Sequence, residues 1–252
     1  KNQLSFSFLS NHYNMLKIKS EAYITEKGRY AINEDTLLFI RGLIYMICDC
    51  VGGNGNGQVA SKLVAATVNN FYKNNPNFEL TNLEVTIEDA IIQFKKKNPS
   101  MQLMASTIAL TRLTTKSIQI AWIGDSLVYH IRDGKCNYKT KGHTWVNQAI
   151  EKGKITSLEQ YFHPNKNQVI RIIKGNQPPT PFDCHIVTDL QENDYFLLIS
   201  DGVLEAFIED DLIALFKSND SCTEIISTIN QQCAQFSDDN YSAILYQIGV
   251  EK

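Results

Sequence analysis

Ile47-Cys48-Asp49-Cys50-Val51-Gly52-Gly53-Asn54-Gly55-Asn56-Gly57 is the stretch on which the reading of this chain turns. A β-prone run over 43–48 ends on one carboxylate, Asp49, and enters a loop that holds four glycines. The segment that follows, 58–72, is apolar at helical spacing. Asp49 is therefore expected at the carboxyl end of a strand, facing backbone that can approach an ion or a phosphate closely. Three more acidic clusters lie beside apolar β-like runs: Asn33-Glu34-Asp35, Ser200-Asp201-Gly202 and Asp238-Asp239-Asn240. Taken alone, each reads as a turn or a helix cap. Together, carboxylates at four strand ends suggest a cage for hard divalent metals, which take oxygen ligands.

The 252 residues, 43% of them hydrophobic, suffice for one large α/β domain or two small ones. A net charge of −3 leaves no electrostatic footprint for nucleic acid. The run Lys95-Lys96-Lys97 reads as the solvated end of a helix, where cations oppose the dipole. No apolar stretch approaches the roughly 18 residues that cross a membrane. The segment 1–9 alternates like a strand and lacks a signal-peptide core, and the absence of an initiator Met suits a trimmed chain. The six cysteines have no zinc-type spacing and read as free thiols in a reducing cytoplasm. Cys48 and Cys50 would share a face if their strand continued.

No repeat or linker divides the chain, so a single domain over 1–252 is expected. Strands are expected over 4–9, 15–23, 36–41, 43–49, 105–113, 117–123, 127–132, 169–172, 183–187, 195–200 and 242–248. Helices are expected over 57–72, 86–97, 145–152, 157–161, 210–217 and 222–236. Thr156-Ser157-Leu158-Glu159 and Ser221-Cys222-Thr223-Glu224 are capping-box patterns. Arg132-Asp133-Gly134-Lys135 reads as a hairpin turn. Consecutive strands and separated helix pairs favour antiparallel sheets with helices outside over a doubly wound parallel sheet. The region 143–181, rich in glycine and proline, reads as a surface flap.

Carboxylates spread over several strand ends can hold two divalent ions about 4 Å apart, which acidify water and aim it at phosphorus without a protein nucleophile. The glycine loop lacks the Gly-Lys-Ser/Thr of a P-loop, and no Gly-x-Ser-x-Gly elbow occurs. Cys50 is a poor candidate nucleophile, because the neighbouring Asp49 would raise its pKa.

The ordered landmarks Asn33-Glu34-Asp35, Asp49-Cys50-Val51-Gly52-Gly53, Ala105-Ser106-Thr107 and Gly124-Asp125-Ser126 continue through Arg132-Asp133-Gly134 and Gly142-His143-Thr144. Gly153-Lys154-Ile155-Thr156, His163-Pro164, Ser200-Asp201-Gly202 and Asp239-Asn240 complete the series. The series resembles the metal-dependent serine/threonine protein phosphatases of the type 2C (PPM) family in their compact bacterial form. The resemblance covers about 23–248. It implies an α+β fold, a four-layer αββα sandwich whose two central, mostly antiparallel sheets are flanked by helices, with a metal cleft at one end.

The same resemblance implies two Mn²⁺ or Mg²⁺ ions and room for a third. Asp49 would bridge the pair. Asp201 and Asp239 would complete one site; Glu34 and the backbone carbonyl of Cys50 would serve the other. Asp35 would hold a water in place. Asp125 and Asp201, with Glu205, would take the third ion. Four positions depart from the family pattern. Tyr30 stands where the family usually has a phosphate-gripping Arg. Arg29, the candidate substrate contact, sits one residue earlier, and on a strand that shift turns it to the opposite face unless the chain bulges. Cys50 stands where Gly is usual, Val51 where many eukaryotic relatives carry His, and Leu127 where an Arg usually makes a salt bridge.

The function implied is hydrolysis of phosphoserine and phosphothreonine on phosphorylated proteins by a cytoplasmic monomer that engages neither nucleic acid nor membrane. Two alternatives stand beside it: a catalytically weak or inactive pseudophosphatase that binds partners, and a phosphoesterase for small molecules.

Overall fold

The computed structural model describes residues 16–51, 57–75, 78, 80–218 and 220–250. The expected strand 4–9 and glycines 52, 53 and 55 lie outside them. Among the described residues ten strands and six α-helices follow in order. The chain opens with β1 (Leu16–Glu26), β2 (Thr36–Ile40) and β3 (Ile44–Cys48), then α1 (Gly57–Asn74) and α2 (Leu80–Lys97). Four strands come next: β4 (Ile108–Leu113), β5 (Ile118–Ile123), β6 (Leu127–Arg132) and β7 (Lys135–Lys139). After α3 (Trp145–Glu151) come β8 (Asp183–Val187), β9 (Tyr195–Ile199), α4 (Asp201–Ala206), α5 (Glu209–Ala214), α6 (Cys222–Phe236) and β10 (Tyr241–Val250). They build two five-stranded antiparallel sheets, ordered β1-β10-β9-β6-β7 and β2-β3-β4-β5-β8.

The layering follows from period-2 side-chain alternation on strands buried on both faces. In β3, Ile44, Met46 and Cys48 point to a core shared with Ala60, Val64 and Val68 of α1 and Leu83, Ile87 and Ile91 of α2. Tyr45 and Ile47 point the other way, to a core between the sheets with Phe196 and Leu198 of β9 and Ile244 and Tyr246 of β10. The opposite faces of β9 and β10 pack on Val203, Leu212, Ile225 and Ile229 of the second helical layer. Helix, sheet, sheet, helix is thus the expected sandwich. Tyr45 and Tyr246 stack across the central layer at 4.3 Å, and the Tyr246 hydroxyl donates to Thr111 Oγ1 (2.9 Å).

The hairpin joining β6 to β7 turns at Asp133 and Gly134, both with positive φ (51° and 67°). The Ser221 side chain accepts from Glu224 N while Glu224 returns to Ser221 N, so the capping box of α6 is closed. Two expected elements differ, and one helix was not expected. Over 169–172 there is no strand: Val169 bridges Thr144 singly, and Ile173 just beyond bridges Ser106 and packs in the core under α1 and α2. The helix over 157–161 is a 3₁₀ turn, Glu159–Phe162. Its cap forms, with Thr156 N donating to Glu159 Oε2 (2.7 Å), but Pro164 follows at once. The six-residue α4 is too short to carry a period and was not expected from the sequence.

Residues 140–182, which contain the segment 143–181 expected as a flap, cross from the edge strand β7 of one sheet to the edge strand β8 of the other. Glu88 on α2 fastens their far end. It is 1% exposed and accepts from Gly175 N (2.6 Å) and Asn176 N (2.9 Å). Glu88→Ala strands both donors in a buried place and is expected to cost about 3 kcal/mol, read as a lower urea midpoint at unchanged m-value.

Candidate metal centre

Antiparallel pairing gathers the acidic clusters at one end of the sandwich. The end of β3 lies beside the start of β2 (Thr36 opposite Cys48), and the end of β9 beside the starts of β6 and β10. Asp35 precedes β2, Asp49 follows β3, Asp125 sits between β5 and β6, Asp201 follows β9 and Asp239 precedes β10. Residues up to 204 positions apart in sequence therefore share one edge, for no reason but strand direction.

Asp49, Asp125 and Asp201 each offer a carboxylate oxygen, and these oxygens lie within 4.8 Å of one another. The main chain holds Asp49 in place: its N–H donates to Thr107 Oγ1 (3.0 Å), and its carbonyl accepts from Thr107 N (2.8 Å) and Ser106 Oγ (2.9 Å). Asp35 is buried beside them. Ser200 Oγ donates to its Oδ2 (2.9 Å), while Asp35 Oδ1 has no partner; the buried Asp201 Oδ1 has none either. Among the described residues, no lysine or arginine forms an ion pair with these four carboxylates.

Burial first, then the mutual repulsion of Asp35, Asp49, Asp125 and Asp201, pushes the pKa of Asp49 well above the usual carboxylate range. Asp201 is raised for the same reasons, chiefly burial and then Asp125. Asp125 is pushed up to about 6, and burial also raises Asp35 and Asp239. Clustered acids with orphaned oxygens and no cation are a poor hydrogen-bond network and a good set of donors for a hard divalent ion, whose charge inverts that pKa logic. The residues present fit the ions that the resemblance implies.

The remaining expected site residues flank this centre. Cys50 Sγ donates to Glu34 Oε2 (3.2 Å), and Glu34 N donates to Asn240 Oδ1 (2.7 Å). Burial, then Glu34, raises the Cys50 thiol, so Glu34 rather than Asp49 is the carboxylate acting on it. The strand ends at Cys48, and the two cysteines part: Cys48 enters the helix-side core while Cys50 lies against Gly57. A Cβ on Gly57 would sit 1.5 Å from Cys50 Sγ, so the side chain that replaces the family's usual glycine is accommodated by a glycine at the start of α1. Glu205 is held elsewhere, its Oε2 accepting from Asp238 N (2.9 Å) and Asp239 N (3.1 Å). Leu127 is buried in the apolar cluster under α4, so hydrophobic packing stands where the family usually has an Arg salt bridge.

Arg29 and Tyr30 do not lie on a strand. β1 ends at Glu26, and Tyr30 N donates to Lys27 O (3.1 Å) in a turn, so the alternation argument does not apply. Arg29 Nη1 pairs with Asp238 Oδ1 (2.8 Å). Sequence reasoning named Ser200, Thr107 and Asn240 inside the landmark motifs but gave them no role, although they hold the acidic segments in place.

This arrangement, two antiparallel sheets with a carboxylate cluster at one end and helices outside, defines a metal-centred α+β sandwich. The family model for protein phosphatase 2C matches residues 33–237, and the chain belongs to that family. It is 24% identical over 193 residues to the serine/threonine protein phosphatase PstP of Mycobacterium tuberculosis, covering 75% of this chain. That match spans only 37% of PstP. A putative protein phosphatase of Mycoplasma genitalium is 26% identical over 245 residues, with 87% of each chain covered. A solved structure of the PstP catalytic domain in complex with two manganese ions superposes with a TM-score of 0.79 at 21% identity, covering 93% of this chain and 99% of that one.

Proposed function

We propose that this chain is a metal-dependent phosphatase acting on phosphoserine and phosphothreonine in proteins. The observation that carries the reading is the meeting of Asp49, Asp125 and Asp201 oxygens within 4.8 Å, beside buried Asp35 and Asp201 oxygens that nothing else satisfies. Asp49 would serve two ions, with Asp201 and Asp239 on one side and Glu34 and the Cys50 carbonyl on the other. Asp125 and Asp201 would hold a third. Bound Mn²⁺ or Mg²⁺ supplies an acidified water and neutralises the phosphoryl oxygens. Asp35, whose Oδ2 accepts from Ser200 Oγ and whose Oδ1 has no partner, would be placed to accept a hydrogen bond from a water in the site and orient it. Arg29 could reach a substrate only by leaving Asp238.

A protein substrate, rather than a small phosphoester, is supported by a groove of about 810 Å³ that opens at Asp125 and Asp201. It runs between the flap, at Thr144, Asn147 and Lys166, and the α4–α5 corner at Phe207 and Ile208. A phosphorylated side chain needs only a fraction of that space, which leaves room for flanking peptide. Action as a single catalytic unit, a monomer in the cytoplasm away from nucleic acid and membranes, is part of the proposal. The six free cysteines and the net charge of −3 favour it, and among the described residues no helix is long and apolar enough to cross a membrane.

The test is hydrolysis of p-nitrophenyl phosphate and a phosphothreonine peptide with Mn²⁺, Mg²⁺ or EDTA, with Asp201→Asn as control. Turnover that requires metal and vanishes in the variant is expected. A folded, metal-binding protein with no turnover on either substrate would instead make it a pseudophosphatase.

A further inference from the structure

We propose that the groove beside the metal centre selects phosphopeptides with an apolar and an acidic residue close to the phosphorylated one, held by Ile208 and Lys166. This rests on the phosphatase reading and narrows its substrate class.

Three elements build the groove. Its floor is the face of β6 and β7 turned toward the α4–α6 layer. Leu127 and Tyr129 alternate onto that face, and Lys139 stands opposite Tyr129 in register, its Nζ 5.9 Å from the ring. One wall is the corner where α4 gives way to α5. There Phe207 packs on the core beneath, whereas Ile208 is 69% exposed. The other wall includes the turn 163–168, which is pinned to the start of α3. Lys166 N donates to His163 O (3.0 Å), Trp145 N donates to Gln168 O (2.8 Å), and the His163 ring stacks on Trp145 at 4.3 Å. The backbone of Lys166 is thus held while its side chain stays exposed along the groove.

Charge and distance define the occupant. Outside the metal-centre carboxylates Asp125, Asp201 and Glu205, the charges of the groove are Lys139, Lys141, Lys166 and Glu209. Cations therefore outnumber anions three to one there, in a chain whose net charge is −3. Lys139 pairs with Glu209 and Lys141 with Glu151, and exposed pairs of this kind contribute little. Among the described residues Lys166 has no carboxylate partner. An acidic side chain entering this groove meets an unneutralised cation, and a basic one is repelled. An apolar side chain laid on Ile208 removes exposed aliphatic surface from water. Asp201 opens α4, and the helix rises about 9 Å before the Phe207–Ile208 corner. Along β6, Tyr129 and its partner Lys139 lie about 13 Å beyond Asp125. An extended peptide spans those lengths in about three to four residues.

The experiment measures kcat and KM of the Mn²⁺-loaded protein on phosphothreonine peptides. One carries Leu and Glu at the third and fourth positions on the amino-terminal side, and a second carries them on the carboxyl-terminal side. Each has a counterpart with Lys for Glu, and a fifth peptide has alanine flanks. Fluorescent forms of the same peptides report affinity by anisotropy. On one side the Leu–Glu peptide is expected to exceed its Lys counterpart about tenfold in kcat/KM, mostly through KM. Lys166→Glu should erase or invert that ratio. Ile208→Ser should bring the Leu–Glu peptide about fivefold closer to the alanine one. Ile208 is the N-cap of α5, where Ser is favoured, so this variant should keep the fold. A variant that is merely damaged lowers all five peptides alike and leaves the ratios standing. Equal kcat/KM on all five, or a preference that survives both substitutions, would overturn the proposal. Absence of turnover, with Leu–Glu phosphopeptide binding that is lost in Lys166→Glu, sinks the phosphatase reading alone. Robust turnover with flat ratios sinks only the selectivity of the groove.

Discussion

Asp49→Asn is expected to cut phosphoester turnover at least about a thousandfold, a loss of about 4 kcal/mol of transition-state stabilisation. The amide keeps the shape of the side chain, so Ser106 and Thr107 can still hold its backbone. What disappears is one negative charge from a group where Asp49, Asp125 and Asp201 meet within 4.8 Å. Mn²⁺ affinity, measured by calorimetry, should fall with the rate. Stability supplies the control. In EDTA the variant should melt at or above the wild-type Tm, because a buried repelling charge has been removed; each kcal/mol gained is worth roughly 2–4 °C in a domain of this size. A variant with near-normal turnover would end the proposed chemistry. One that loses activity and melts lower in EDTA would point to damage instead.

The metal-free protein should also lose stability as pH rises, opposite to the usual behaviour of paired carboxylates. Asp125 titrates at about 6 in the folded chain, against about 3.9 when unfolded. The folded state thus binds this proton more tightly. The stability it confers is complete below the unfolded pKa and is lost as pH rises through the folded one. Asp125 alone accounts for about 3 kcal/mol between roughly pH 4 and 6. Asp49 and Asp201, raised further by burial and by their acidic neighbours, extend the loss to higher pH. His143, whose pKa burial lowers, opposes the trend by favouring the neutral ring as pH rises, so Asp125→Asn is the comparison that isolates the acids. Melts in EDTA at pH 5 and pH 8 should show the lower Tm at pH 8. Saturating Mn²⁺ should abolish or reverse the difference, since an ion that binds only the folded state stabilises it by mass action. A Tm in EDTA that is flat or higher at pH 8, with Asp125→Asn unchanged, would mean that the carboxylates do not repel one another as their placement requires.

Much of this was legible in the residues. The run at β3 announced a strand, and its end marked Asp49. The Asp-Gly turn and the box at Ser221 located a hairpin and a helix start. These signals are local: side-chain period, cap chemistry and turn dihedrals act within a few residues. The ordered acidic motifs were legible too, and Asp49, Asp125 and Asp201, read as candidate metal ligands, meet within 4.8 Å in the fold.

Other features had no local signal. The segment 169–172 has strand-like residues, but only Val169 bridges, to Thr144, a partner the local sequence does not announce. Alternation could not assign a direction to Arg29, because the backbone turns there and Asp238, over 200 residues on, captures the guanidinium. Cys50 acquired its place from Gly57 and Glu34, and Glu205 was drawn to the backbone of Asp238 and Asp239. Sequence alone determined which residues can carry charge, cap a helix or bury a face, because those are properties of short stretches of chain. Tertiary structure alone decided which carboxylates share an oxygen-to-oxygen distance an ion can span, and which partners the flanking side chains take. Those outcomes depend on strand direction and on partners that chain connectivity does not bring together.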